Sequence, residues 1–153
     1  MMEGMKTEIR ADAAGTVLVG DILVNRLGFG AMRLAGPGVW GRPRDAENVA
    51  RVLRRAIELG VTFIDTSDAY GPGVNEEQIA EGLYPYPKDL LIATKGGLAR
   101  PGPGSWEPDC RPARLKQCCE ESLRRLRVDR IDLYQLHAVD PKVPYQGNRA
   151  TNR

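Results

Sequence analysis

The sequence predicts an α/β fold built on a parallel sheet, and two observations predict it. Short apolar runs of strand length alternate with longer segments of helical periodicity, and four such strands can be counted. Three of the runs end in a polar group, at Asp65, Lys95 and His137. Strands that are joined through helices are parallel, with right-handed crossovers. The pattern fits a doubly wound sheet or a (β/α)8 barrel, and four strands leave both open.

The composition indicates a cytoplasmic globular domain with no nucleic-acid or membrane partner. Hydrophobic residues make up 42% of the 153, and the formal net charge is only +2. The apolar runs all fall short of the roughly 18 residues that span a bilayer, and the first residues lack the apolar region of a secretory signal. Cys110, Cys118 and Cys119 form no C-x-x-C pair, and the chain has one histidine. We therefore expect free thiols and no metal site.

The sequence of residues 1–43 predicts an N-terminal arm, a β-hairpin, a short strand and a loop. Residues 1–15 are polar and small, which is typical of a flexible N-terminal arm. Residues 16–24 predict a β-hairpin, because two apolar runs flank the two-residue turn Gly20-Asp21. Residues 27–32 predict a short buried strand containing glycines, and residues 36–43 a loop rich in glycine and proline.

The remaining elements follow in alternation. Asp45 is suited to cap a helix that Gly60 stops, and Pro112 suits the first turn of a later helix. The predicted order after the first helix is a strand at 61–65, a helix at 75–83, a strand at 90–94, a loop at 96–110, the helix from Pro112 and a strand at 131–136.

Four polar side chains are expected to gather at one rim of this sheet. Asp65, Lys95 and His137 follow three strands, and Tyr70 lies five residues after the first of them. The carboxyl ends of parallel strands share one rim. An ammonium stabilises a neighbouring phenolate, a carboxylate holds the ammonium, and a histidine can hydrogen-bond a substrate oxygen. Together the four side chains could deliver a proton to a carbonyl oxygen.

Each of these residues also has a simpler interpretation. Asp65 could cap the turn that follows it, and Tyr70 could be an ordinary loop aromatic. Lys95 could be solvated, and His137 could be a structural histidine. The functional interpretation depends on all four coinciding at strand ends.

The glycine-rich segments do not form a recognisable phosphate cradle. Residues 28–30 lack the third glycine of a dinucleotide-binding fingerprint, and no helix follows them directly. Residues 71–73 are not a Walker loop.

Three ordered segments resemble the aldo-keto reductase family. The first is Gly60-Val61-Thr62-Phe63-Ile64-Asp65-Thr66-Ser67-Asp68-Ala69-Tyr70-Gly71, followed by Asn75-Glu76-Glu77. The second is Ile92-Ala93-Thr94-Lys95, and the third runs from Glu121 to His137. The resemblance extends from about residue 15 to about residue 144.

The resemblance implies a (β/α)8 TIM barrel, of which residues 16–144 are the N-terminal half: four β/α units, with the hairpin closing the bottom. It implies reduction of an aldehyde or ketone to an alcohol with NADPH. Tyr70 would be the general acid and Lys95 would activate it. Asp65 would pair with Lys95, and His137 would orient the carbonyl.

The resemblance also implies where ligands bind. Gly30, Ala31 and Met32, together with Asp65, would face the nicotinamide of the cofactor. Trp106, in the loop at 96–110, would line the pocket of a small-molecule carbonyl substrate.

The C-terminal end departs from the family pattern, because residues 145–153 are a polar tail that matches nothing in it. In the family, most contacts to the cofactor's phosphates and adenosine come from the second half of the barrel. We therefore expect a C-terminally truncated barrel that turns over generic aldehydes slowly or not at all. The alternatives are a non-catalytic fragment, a half-barrel that associates through exposed barrel edges, and a regulatory subunit of the channel-accessory type.

Overall fold

A computed structural model of the protein describes residues 9–144. Its strands and helices, in chain order, are β1 (Thr16–Val19), β2 (Ile22–Asn25), β3 (Phe29–Gly30), α1 (Ala46–Glu58), β4 (Phe63–Asp65), α2 (Val74–Leu83), β5 (Leu91–Gly96), β6 (Leu98–Ala99), β7 (Glu107–Pro108), α3 (Pro112–Leu126) and β8 (Leu133–Leu136). Each of the three α-helices lies between two strands of the main sheet, as the sequence predicts. No helix among these residues is long and apolar enough to cross a membrane.

The main sheet has four parallel strands in the order β3-β4-β5-β8. Gly30 is in register with Asp65, Asp65 with Ala93, and Lys95 with Gln135. The strand order follows the chain order without reversal, whereas a doubly wound sheet reverses at a switch point. The parallel α/β prediction is therefore confirmed, and the architecture is that of a partial barrel.

The N-terminal hairpin covers the amino end of this sheet. β1 and β2 pair antiparallel across the predicted turn, where Gly20 adopts a φ of +64°. Val24 is buried against Leu91 and Ala93 of β5. The Asn25 side chain donates to the Gly60 carbonyl at 2.6 Å, which fixes the hairpin to the turn before β4. The hairpin prediction is confirmed.

The prediction of a flexible arm over residues 1–15 is wrong for its last part. Ala11–Ala14 form a 3-10 helix, in which Ala11 is buried. The Ala11 amide donates to the Leu59 carbonyl at 2.7 Å, so the end of α1 provides both a partner and an apolar surface for this segment. The rest of the arm, residues 1–8, and the predicted polar tail, residues 145–153, lie outside the described residues.

Two further segments differ from the sequence prediction. The predicted strand at 27–32 is limited to the two residues of β3, and Ala31–Leu34 continue as a 3-10 helix. The predicted loop at 96–110 contains a small antiparallel sheet, β6 with β7. Both strands of that sheet have only two residues, too few for an alternating pattern to mark them.

The helices pack against the sheet through the apolar positions that the sequence indicates. Asp45 caps α1 by accepting from the Asn48 amide at 2.9 Å, and Gly60 ends the helix region with a φ of +86°. The main core cluster includes Leu53 of α1, Ile64 of β4 and Ile79 of α2, all fully buried. This packing places the carboxyl ends of β4, β5 and β8 side by side at one rim.

Candidate active site

An ion pair occupies the centre of this rim. Lys95, near the end of β5, places Nζ 2.7 Å from Asp65 Oδ2 at the end of β4. The same ammonium donates to the Thr66 carbonyl at 2.8 Å. The parallel register of the two strands brings these side chains together, and the second bond fixes the lysine head group in the site.

Tyr70 is buried beside this pair. Its ring centroid lies 5.4 Å from Lys95 Nζ and 5.6 Å from the ring centroid of His137, with an edge-to-face arrangement of the two rings. The Tyr70 amide donates to the Ser67 carbonyl at 3.2 Å, and its carbonyl accepts from the Asn75 amide at 3.1 Å. The loop between β4 and α2 is therefore held on both sides of the phenol, and all four predicted residues meet at one place.

His137 completes the cluster from the end of β8. Its backbone amide donates to the Gly96 carbonyl at 2.9 Å, so the main chain is fixed to β5. Burial and then the neighbouring Lys95 ammonium lower the pKa of His137 below its ordinary value of 6.5, while Asp65 opposes them. The imidazole is accordingly neutral at pH 7, which leaves one ring nitrogen protonated and the other free to accept.

Ser67 is a neighbour of the site that the sequence did not single out. Its Oγ lies 2.8 Å from His137 Nδ1, and it accepts from the Ala69 amide at 3.1 Å. Ser67 belongs to the run Thr66-Ser67-Asp68, in which all three side chains are typical capping groups. Its hydroxyl caps the local turn and also reaches the histidine.

A buried polar network lies behind the rim. Glu76 of α2 is fully buried, accepting from Thr94 Oγ1 at 2.5 Å and from Arg125 Nε at 2.7 Å. Asp68 lies nearby; burial, its largest influence, raises its pKa, and the thiol of Cys118 hydrogen-bonds to it. The network ties α2, β5 and α3 together beneath the loop that carries Tyr70.

The surface beside Asp65 includes exposed residues of β3 and of the segment that follows it. Gly30 is exposed, and a Cβ placed there would meet nothing within 4 Å. Met32 is exposed as well. Ala31 differs, because it is fully buried and its carbonyl accepts from the Asn75 side chain at 2.5 Å. Gly30, Met32 and Asp65 thus border the open face, whereas Ala31 is turned into the protein.

Trp106 lies in the loop between β6 and β7, where the Arg100 guanidinium packs against its ring. The guanidinium carbon of Arg100 is 3.4 Å from the centroid of a Trp106 ring and 5.3 Å from that of Trp40. Arg100 Nη1 also donates to the Ala69 carbonyl at 3.0 Å, next to Tyr70. Arg100 therefore connects the Trp106 loop to the loop that carries Tyr70, a contact that no local pattern indicates.

The three cysteines are free thiols, as the sequence predicts. Cys110 and Cys118 are buried, and Cys119 is partly exposed. Within residues 9–144, no cluster of three or more metal-ligating side chains is found.

Most of the chain's sequence matches a known family model. The model described as "Aldo/keto reductase family" matches residues 26–148. The chain belongs to the aldo/keto reductase family, an oxidoreductase family.

Individual relatives agree with this membership. An uncharacterized oxidoreductase of Schizosaccharomyces pombe is 55% identical over 136 residues, which are 89% of this chain and 44% of that protein. Pyridoxine 4-dehydrogenase of Escherichia coli is 46% identical over 138 residues, 89% of this chain and 48% of that enzyme. The glycerol dehydrogenase structure from Gluconobacter oxydans superimposes with a TM-score of 0.76 at 35% identity, over 89% of this chain and 43% of that chain. The chain spans about half the length of the curated relatives it matches.

Proposed function

We propose that the protein acts as an NAD(P)H-dependent oxidoreductase that reduces an aldehyde or ketone to an alcohol. The observation that carries the proposal is the contact between four groups. Tyr70 lies against both the Lys95 ammonium and the His137 ring, while Asp65 holds Lys95 at 2.7 Å. Family membership and the dehydrogenase relatives support the same reaction class.

In this proposal the rim residues divide the work of proton delivery. Tyr70 gives its phenolic proton to the carbonyl oxygen, and the adjacent Lys95 ammonium stabilises the resulting phenolate. Asp65 and the Thr66 carbonyl keep the ammonium in place. His137, neutral at pH 7, donates a hydrogen bond that orients the carbonyl oxygen.

The residues present fit a nicotinamide cofactor of the NADPH type. A bound cofactor of this kind supplies the hydride. The open face bordered by Gly30, Met32 and Asp65 would receive its ring, and Ala31 supports that face from inside through its bond to Asn75. We place the carbonyl substrate near the loop of Trp106, which Arg100 connects to Ala69, the residue before Tyr70. Three free thiols suit a reducing compartment, which supports a cytoplasmic location.

The test is consumption of NADPH with 4-nitrobenzaldehyde, followed by identification of the alcohol. We expect a slow rate, because the described residues offer the cofactor an open face rather than a closed cleft. Tyr70→Phe should lower the rate by a factor of about 10² to 10⁴, since general acid catalysis contributes that much. Tyr84→Phe is the matched control, because Tyr84 is an exposed tyrosine at the end of α2. Equal rates for the wild type and Tyr70→Phe would contradict the proposal.

A second candidate role is self-association through the edges of the sheet. Within the described residues, β3 pairs only with β4, and β8 only with β5. An unpaired strand presents free amide and carbonyl groups to a second chain, and Leu136 at the end of β8 is exposed. We propose that a second copy pairs there.

Sedimentation equilibrium over a range of concentrations tests this role. Leu136→Lys should weaken the association, because a charge at the edge opposes pairing. Leu18→Lys on the hairpin, where the leucine is also exposed, should leave it unchanged. A monomer at every concentration would rule the role out.

A further inference from the structure

We propose that Ser67 is a positioning residue that holds His137 in the tautomer whose ring proton is on Nε2. The proposal rests on the proposed function in one respect, because a histidine that orients a carbonyl oxygen needs an N–H to donate. Its geometry is independent of that function. Ser67 Oγ and His137 Nδ1 are 2.8 Å apart although the residues are 70 positions apart in the chain.

The single hydroxyl proton of Ser67 has three acceptors within reach. The nearest is His137 Nδ1 at 2.8 Å, against 3.2 Å to Asp68 Oδ1 and 3.4 Å to the Lys95 carbonyl. One lone pair of the same oxygen already accepts from the Ala69 amide at 3.1 Å. A hydroxyl has only one proton to give, and the shortest contact is the one to the imidazole. When Ser67 donates there, Nδ1 is an acceptor and the ring proton is on Nε2.

Both partners of this bond are held in place. Ser67 is fully buried, and its carbonyl accepts from the Tyr70 amide at 3.2 Å. His137 is anchored through its own amide to Gly96. Because Ser67 is out of reach of bulk water, its hydroxyl has only these protein acceptors, and a buried hydrogen bond of this kind decides which ring nitrogen carries the proton.

Asp68 is the competitor for the hydroxyl proton. If Ser67 donated to Asp68, the imidazole would have to place its proton on Nδ1 and donate to Ser67, which leaves Nε2 as an acceptor. Such a ring could not donate to a carbonyl oxygen. The longer distance, 3.2 Å to Asp68 Oδ1 against 2.8 Å to His137 Nδ1, disfavours this arrangement.

Nitrogen NMR of the imidazole tests the proposal directly, because the chain has a single histidine and its ring signals need no further assignment. The two-bond ¹⁵N–¹H spectrum of the uniformly ¹⁵N-labelled chain at pH 8 distinguishes the protonated from the unprotonated ring nitrogen. We expect the wild type to be predominantly the Nε2–H tautomer. Ser67→Ala should lower the ratio of Nε2–H to Nδ1–H tautomers roughly fivefold, the effect of one typical hydrogen bond. Ser67→Cys should give an intermediate ratio, because a thiol is a weaker donor.

Thr66→Val is the matched control. Thr66 is the adjacent residue and equally buried, and its hydroxyl has no hydrogen-bond partner within the described residues. The variant should keep the wild-type tautomer ratio. A wild-type chain in the Nδ1–H form would overturn the proposal, and so would an unchanged ratio in Ser67→Ala or an equal shift in Thr66→Val. None of these readouts requires turnover, so the tautomer experiment can fail while the NADPH assay succeeds, and the reverse.

Discussion

Two ion pairs of equal length lie in very different surroundings in this molecule. The rim pair, Lys95 with Asp65, and the interior pair, Arg125 with Glu76, both have a nitrogen–oxygen distance of 2.7 Å. The Asp65 side chain is 35% exposed, whereas the Glu76 side chain is not exposed at all. The two carboxylates thus differ in access to solvent and ligands, not in the geometry of their bonds.

The difference in access indicates different roles. Both oxygens of Glu76 are engaged, one by Thr94 of β5 and one by Arg125 of α3, so no ligand can approach. That pair serves to hold three elements together. Among the described residues Asp65 pairs with one cation, and an open face lies next to it, so the rim pair remains accessible to solvent.

The largest expected effect on stability is at the interior pair. Glu76→Gln keeps the shape of the side chain but leaves the partly buried Arg125 cation without its counter-charge. Breaking a buried pair on one side costs about 3–5 kcal/mol in free energy of unfolding. Urea unfolding measures the loss.

Glu77→Gln, on the same helix, is the control for that variant. Glu77 is 45% exposed and lies 3.0 Å from Arg42, so its loss should cost about 0–1 kcal/mol. Equal destabilisation by the two substitutions would remove the distinction between interior and surface pairs.

A smaller stability effect is expected at the rim pair. Asp65→Asn should cost about 1 kcal/mol in free energy of unfolding, because solvent screens a partly exposed pair. The reduction rate should fall much more steeply, since Lys95 loses the group that holds it beside Tyr70. Urea unfolding and NADPH consumption on the same samples separate the two effects. A stability loss as large as that of Glu76→Gln would show that the rim pair is structural.

The smallest effect is a pH dependence that comes from His137. Its pKa is lowered in the folded state by burial and by Lys95, whereas the unfolded chain binds the proton near pH 6.5. The stabilising contribution is therefore complete above pH 6.5 and is lost as the pH falls through the folded-state pKa. As the pH is lowered from 7.5 to below 6.5, the free energy of unfolding should therefore decrease. His137→Gln should flatten this part of the profile, and an unchanged slope in that variant would assign it to another group.

Local signals in the sequence were sufficient for most of the fold. The Asp45 cap, the Gly20-Asp21 turn and the apolar runs ending at Asp65 and Lys95 depend on neighbours within a few residues. Each of them has the predicted conformation in the structure. Where the local signal was short, as in β6 and β7, the prediction was wrong because two residues cannot show a period. The last part of the predicted arm, Ala11–Ala14, forms a 3-10 helix instead, because its partner, Leu59, is remote in sequence.

The sequence by itself determined the alternation of strands and helices and the set Asp65, Tyr70, Lys95 and His137 as candidates for one rim. Only the tertiary structure decided what surrounds them. The contact of Ser67 with His137 spans 70 positions, and the burial of Glu76 depends on Arg125, 49 positions away. Such contacts follow from strand register and helix packing, which set the distance and the exposure of each pair. Charge and hydrogen-bonding capacity can be read from the chain, but the surroundings that turn a carboxylate into a structural or a chemical group exist only after folding.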